Sequence, residues 1–244
     1  MGLKESGLRG SLRNVSVGID AIPDTVTTQH FATSWSENDS IWSDDVDDKD
    51  MSIPDGFEDT TLSDDSEAIS GDGNRSSYQV PTSFEADNLT DGVAIELVIE
   101  TSISAQTGLI GSSREGDQAF EIILNTDQNL NADAGNIAAL IRDSDDNRFE
   151  FSPESNPQLD DGSRHDITLV VTDTANNDGN WIIDGDDLGS EIGSSGGPNN
   201  FDNWEEDWGA WGFGNRQPFE DYTGAIAATR FHNNSIDTQT IKQY

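Results

Sequence analysis

The sequence predicts an all-β fold built as two antiparallel sheets packed face to face. Three observations predict it. Short apolar runs recur at close spacing through the second two thirds of the chain, Asp-Gly and other glycine-rich turn signals separate them, and no long stretch keeps a helical period. A chain of 244 residues is long enough for one substantial core, so one main domain is expected.

Taken in order, residues 1–25 stand apart as an arm. Lys4, Arg9 and Arg13 oppose only Glu5 before Asp20, which makes this segment locally basic. Leu8, Leu12 and Val15 recur at helical spacing, Val15, Val17 and Ile19 alternate as in a strand, and Gly7 and Gly10 weaken any helix. Two readings stand: a flexible terminus or first strand, and an anchoring or oligomerisation arm whose Leu3, Leu8, Arg9, Leu12, Arg13 and Val15 dock on a neighbouring acidic or apolar surface. The remainder, 26–244, is assigned to the sandwich.

From about 40 to 75 the chain is acidic and turn-rich, which fits loops and short strands. Strand-like runs then follow: SYQVPTSF at 77–84, VAIELVIETSIS at 93–104, TGLIGS at 107–112, AFEIILNT at 119–126, NIAALIRD at 136–143 and RFEFSP at 148–153. HDITLVVTD at 165–173, NWIIDGDD at 180–187, GAWGFGN at 209–215 and GAIAATRFHN at 224–233 complete the series. Ile95, Leu97 and Ile99 alternate with Glu96, Val98 and Glu100, placing the first three on a core face. Asp184-Gly185 reads as a two-residue hairpin loop, where positive φ is needed and Asp-Gly supplies it cheaply. A last helical turn is expected in SIDTQTIKQY, with Asp237 as its N-cap.

Charge is the strongest global signal, with 48 acidic against 12 basic side chains and a formal net charge of -36. Aspartate outnumbers glutamate 33 to 15, only three of the cations are lysines, and the acids are spread along the whole chain, so one acidic tail does not explain them. Self-repulsion at this density is destabilising in dilute buffer and largely screened in molar salt, where the Debye length is about 3 Å. A strongly halophilic organism, or its virus, is the expected source. Nucleic acid and anionic membranes are disfavoured as partners by the lack of a basic patch. With no cysteine, disulfides, thiolate metal sites and thiol nucleophiles are excluded too. No apolar run of the length of a secretory signal opens the chain, and no eighteen apolar residues run together.

Several of these segments carry a family likeness. SIWSDDVDDKDMSI resembles an opening Trp-x-Asp turn, and SGDGNRSSYQVPTSF the strand before a first long core strand, here GVAIELVIETS. RHDITLVVTDTANNDGNWIIDGDDLG is similar to a His-containing strand, variable loop and Asp-Gly hairpin, and FEDYTGAIAATRFHNNSIDTQTIKQY to a closing segment. In this order they resemble the laminin-G-like, concanavalin A-like domain, as in surface structural proteins of haloarchaeal tailed viruses. The resemblance covers about residue 30 to the last. It implies a two-sheet antiparallel jelly-roll sandwich, a fold that by itself names no function.

Three of the six tryptophans fall in NNFDNWEEDWGAWGFGN. Alternation puts Trp211 and Phe213 on one strand face, read as core, and Trp208, Ala210, Gly212 and Gly214 on the other, read as a shallow trough. Trp204 and Trp208 are the candidate stacking platform for a sugar, with Asp202, Glu205 and Glu206 accepting hydroxyl hydrogen bonds. The competing reading is a loop pinned by its own tryptophans or buried in a subunit contact.

No enzyme is expected. Glu96 and Glu100 share a strand face in ELVIE, a spacing similar to the catalytic strand of laminarinase-type glucanases, but Val98 stands where the central aspartate belongs. His30, His165 and His232 form no metal-binding pair in sequence, and no Gly-x-Ser-x-Gly elbow occurs. Acid clusters at 143–146 and 173–180 suit Ca²⁺ as hard-oxygen ligands, with a solvated turn as the alternative, so the metal question stays open. The expected role is a structural protein on the virion surface of a halophilic archaeal virus, as head decoration, turret, tail fibre or spike, assembled in the host cytoplasm. Its expected partners are other virion proteins, further copies of itself (a trimer suits the role) and a host surface glycan. A cellular halophilic lectin or adhesin is the alternative, and a glycanase ranks third.

Overall fold

A computed structural model of the chain describes residues 26–35, 41–43, 51–52, 57–71, 93–112, 119–125, 135–142, 148–173, 178–195, 211–212 and 224–232. Within them the fold is all-β, apart from a 3₁₀ turn at Ala32–Ser34. The strands are β1 (Val26–Phe31), β2 (Ile41–Trp42), β3 (Met51–Ser52), β4 (Phe57–Thr61), β5 (Glu67–Gly71), β6 (Val93–Glu100), β7 (Thr107–Ser112) and β8 (Ala119–Leu124). They continue as β9 (Ile137–Arg142), β10 (Arg148–Ser152), β11 (Arg164–Asp173), β12 (Asp178–Ile183), β13 (Asp186–Gly189), β14 (Glu191–Ser195), β15 (Trp211–Gly212) and β16 (Ala225–His232).

Two antiparallel sheets make the sandwich. The larger has the order β13-β12-β11-β6-β16-β5-β4, with β1 also on β16; the smaller runs β14-β10-β9-β8-β7-β15; β2 and β3 form a separate ribbon. Period-two alternation builds the core between the sheets. From the larger sheet come Ile95, Leu97 and Ile99 of β6, Ile167, Leu169 and Val171 of β11, and Trp181 and Ile183 of β12. Leu109, Ile122, Leu124, Ile137, Ala139 and Phe151 meet them from the smaller sheet. Each such side chain, fully buried, contributes about 1.5–3 kcal/mol relative to exposure. The indole N–H of Trp181 donates to the carbonyl of Phe151 at 3.3 Å, a direct bond between the sheets. Gly179 lets the Phe151 ring lie against its backbone, since a Cβ there would stand 2.8 Å from the ring.

One edge of the sandwich is sewn shut. Only Ser190 separates β13, at the edge of the larger sheet, from β14, at the edge of the smaller. Gly189 makes the step at φ +64, and the Glu154 side chain occupies the space a Cβ would need. The Glu154 N–H fixes the crossing from the facing loop by donating to the Leu188 carbonyl at 3.1 Å.

The expected two-sheet sandwich is therefore observed, and the Asp184-Gly185 turn has the expected positive φ at both residues, 53° and 84°. The arm at 1–25, the run at 77–84 and the closing helical turn lie outside the described residues. Among the described residues no helix is long and apolar enough to cross a membrane.

Candidate functional site

The outward face of the smaller sheet is the candidate site, and strand register defines its rows. Because Ile122, Leu124, Ile137, Ala139 and Phe151 enter the core, positions 121, 123, 138, 140 and 150 face away from it. Pairing then aligns Gly212, Gly111, Glu121, Leu140, Glu150 and Gly193 in one row across β15, β7, β8, β9, β10 and β14. The next row holds Ala119, Arg142, Arg148 and Ser195, and the row on the other side holds Gly108, Ile123 and Ala138.

Chemically this face is asymmetric. Its β15 and β7 flank has glycine, and so no side chain, at positions 212, 111 and 108, of which Gly108 is buried. At the centre stand Glu121, which is buried, and Glu150, which keeps partial exposure. Ile123, Ala138 and Leu140 are buried as well although they face away from the core, so the middle of this face is covered.

Gly212 is the point where the trough expected from sequence meets this surface, and Trp208 precedes it by four positions. Trp204, Trp208, Asp202, Glu205 and Glu206 lie outside the described residues, as do Leu3, Leu8, Arg9, Leu12, Arg13 and Val15. Sequence reasoning missed Gly111, Glu121 and Glu150. The two glycines inside the strand run TGLIGS were the available signal, since glycine within a strand marks a close approach.

On the outward face of the larger sheet lies a buried ionic group. Arg230 is the direct register partner of Glu96, and His232 pairs with Ala94 two residues along. The Glu96 carboxylate, in a residue only 4% exposed, accepts from His232 Nε2 at 2.7 Å and from Arg230 Nη1 at 3.3 Å. Burial alone would raise the Glu96 pKa, but the His232 hydrogen bond and the charges of Arg230 and His232 hold it below the usual carboxylate range. Glu96 and Glu100 share one face of β6 as expected, yet they are engaged separately: Glu100 accepts the Ser63 N–H at 2.7 Å.

At the end of the sandwich where β11 begins, a clasp joins three segments. Asp184, held by its turn, accepts from His165 Nδ1 and from the Asp166 N–H, both at 2.9 Å, and Asp161 accepts from His165 Nε2 at 3.2 Å. Desolvation would lower the His165 pKa, but Asp184 and Asp161 together raise it. Arg164 joins Asp166, at 2.7 Å, to Asp64 of the β4–β5 turn. Asp184 thus serves the framework. Among the described residues no group of three or more His, Asp or Glu is arranged to hold a metal ion; the acids at 143–146 and residues 174–177 lie outside them.

No protein-family model matches the chain, and no curated protein matches it. Solved structures do. Domain 4 of AbnA, an extracellular GH43 arabinanase from Geobacillus stearothermophilus solved with arabinotriose, aligns with TM-score 0.63 at 11% identity, over 90% of this chain and 97% of that one. The binding domain of botulinum neurotoxin DC, in a complex with SialylT, aligns with TM-score 0.64 at 8% identity, over 90% and 50%. A Trypanosoma rangeli sialidase mutant displaying trans-sialidase activity aligns with TM-score 0.55 at 14% identity, over 89% and 32%. The likeness is one of fold. This chain spans one arabinanase domain, half of the toxin's binding domain and a third of the sialidase.

Proposed function

We propose that the chain is a non-catalytic glycan-recognising module displayed on the surface of a virus particle from a halophilic host. The feature taken to carry the recognition is the margin of the smaller sheet where Gly212 pairs with Gly111, neither with a side chain. Likeness to a domain solved with arabinotriose and to a toxin binding domain solved with SialylT supports the same reading. Engagement of Glu96 by Arg230 and His232 supports a binding role over hydrolysis. The finer assignment rests on composition: a net charge of -36 for a halophilic setting, and the locally basic residues 1–25 as an anchor to other virion proteins within a homo-oligomer assembled in the host cytoplasm.

Two measurements test the two parts. In molar salt, Gly111→Val should abolish retention on glycan columns that hold the wild type; retention unchanged by the variant refutes the site. Particles stripped of surface proteins should rebind the full chain and not a chain lacking 1–25; equal rebinding refutes the anchor. Likeness to a domain of an extracellular arabinanase favours a second reading, a cellular halophilic lectin or adhesin, for which particles would lack the chain altogether.

A further inference from the structure

Both ring nitrogens of His165 face a carboxylate, which is more than a neutral imidazole can satisfy. Nδ1 stands 2.9 Å from Asp184 and Nε2 3.2 Å from Asp161, on a side chain only 8% exposed. A neutral ring carries one N–H and one lone pair, so one of the two contacts would set that lone pair against carboxylate oxygen; the imidazolium alone donates to both. Asp161 and Asp184 are equally exposed, at 44% and 45%, so exposure does not decide which contact fails. Fixation does. Asp184 sits in its hairpin turn, where its N–H donates to the Asp166 carbonyl at 2.8 Å and its second carboxylate oxygen accepts the Asp166 N–H at 2.9 Å. Asp161 accepts from within its own turn, from the Ser163 N–H at 2.7 Å, and Gly162 ties that turn to the body through its N–H to the Thr101 carbonyl at 2.9 Å. The charged groups around the ring are engaged with one another: Arg164 joins Asp166 to Asp64, Asp160 accepts from Gln158, and Glu100 of β6, the register partner of Arg164, accepts the Ser63 N–H.

We propose that His165 is a proton-operated latch: protonated, it holds the Asp161–Ser163 turn to the β12–β13 hairpin, and on losing its Nε2 proton it keeps Asp184 and releases Asp161. Desolvation favours the neutral ring, but Asp184 and Asp161 outweigh it and raise the His165 pKa, so release falls on the alkaline side of the ordinary histidine range. The released turn follows Leu159, which is fully buried in the core, so opening loosens the cap over this end of the sandwich. The latch operates whether or not the chain binds a glycan.

The test combines nitrogen-15 spectra of the histidine rings with amide hydrogen exchange, on the full chain in molar KCl, across the pH range in which it stays folded. Both nitrogens of His165 should be protonated below the midpoint, and above it the neutral ring should keep its proton on Nδ1. Exchange at Gly162, corrected for the base-catalysed rise in intrinsic rate, should step up at the same midpoint, while the Asp166 and Asp184 amides show no step. Asp161→Asn supplies an amide that can donate to the bare Nε2, so the step at Gly162 should be lost in that variant. A neutral ring protonated on Nε2, a step at Asp166 or Asp184 in place of Gly162, a step that persists in Asp161→Asn, or a ring that does not titrate in the folded protein would each overturn the latch. The wild-type spectra and exchange decide the matter by themselves where Asp161→Asn does not fold.

Discussion

Replacing Arg230 with methionine strips a buried carboxylate of its nearest permanent cation. Glu96, Arg230 and His232 are 4%, 7% and 1% exposed, so water cannot take over the missing partner's role. At 3.3 Å and an effective dielectric of about 20, the Arg230–Glu96 attraction is about 5 kcal/mol before desolvation is subtracted. Breaking one side of such a pair typically costs about 3–5 kcal/mol, because the remaining charge stays buried. In a domain of this size about 3 kcal/mol corresponds to a fall in Tm of roughly 6–12 °C. Replacing both partners, Glu96→Met with Arg230→Met, should recover part of that loss, since the apolar pair needs no compensation while the buried His232 Nε2 loses its acceptor. Thermal and urea unfolding of the wild type, both single variants and the double variant, all in molar salt, form the cycle. A fall of less than about 1 kcal/mol for Arg230→Met, or a double variant as unstable as the sum of the singles, would refute the picture of a mutually dependent buried group.

Two further outcomes follow from the geometry. Gly179→Ala would drive a methyl into the Phe151 ring at 2.8 Å and should lower stability by about 1–3 kcal/mol in urea unfolding, whereas an unchanged midpoint would mean that the two sheets move apart freely. His165 has a folded-state pKa raised above its unfolded value, so its contribution is fully present below the unfolded pKa and is lost as pH rises through the folded one. Tm should accordingly fall across that window in the wild type and stay flatter in His165→Gln; parallel profiles would show that the clasp with Asp161 and Asp184 does not depend on charge.

Alternation made the central strands legible from sequence. Ile95, Leu97 and Ile99 declared the core face of β6, and Asp184-Gly185 declared its hairpin, because both depend on local backbone geometry alone. The buried group around Glu96 was not legible. Glu96 and Arg230 are 134 positions apart and meet only through the β6–β16 pairing, which alternation does not specify; a glutamate inside an apolar run was the faint sign that both faces of β6 are covered. The candidate site was half legible. Gly212 could be assigned to a bare face from its own strand, but its alignment with Gly111 and Glu121 is a product of register between strands a hundred and more residues distant from it or ninety from it in sequence.

The passage of the chain through Gly189 and Ser190 makes the sandwich resemble a bound book. Its spine is covalent, so the two sheets cannot slide past each other along that margin without tearing β13 from β12 or β14 from β10. Any breathing of the core has to be a parting of pages at the fore-edge, where β4 and β15 end their sheets. Gly111 and Gly212 belong to the two strands nearest that margin.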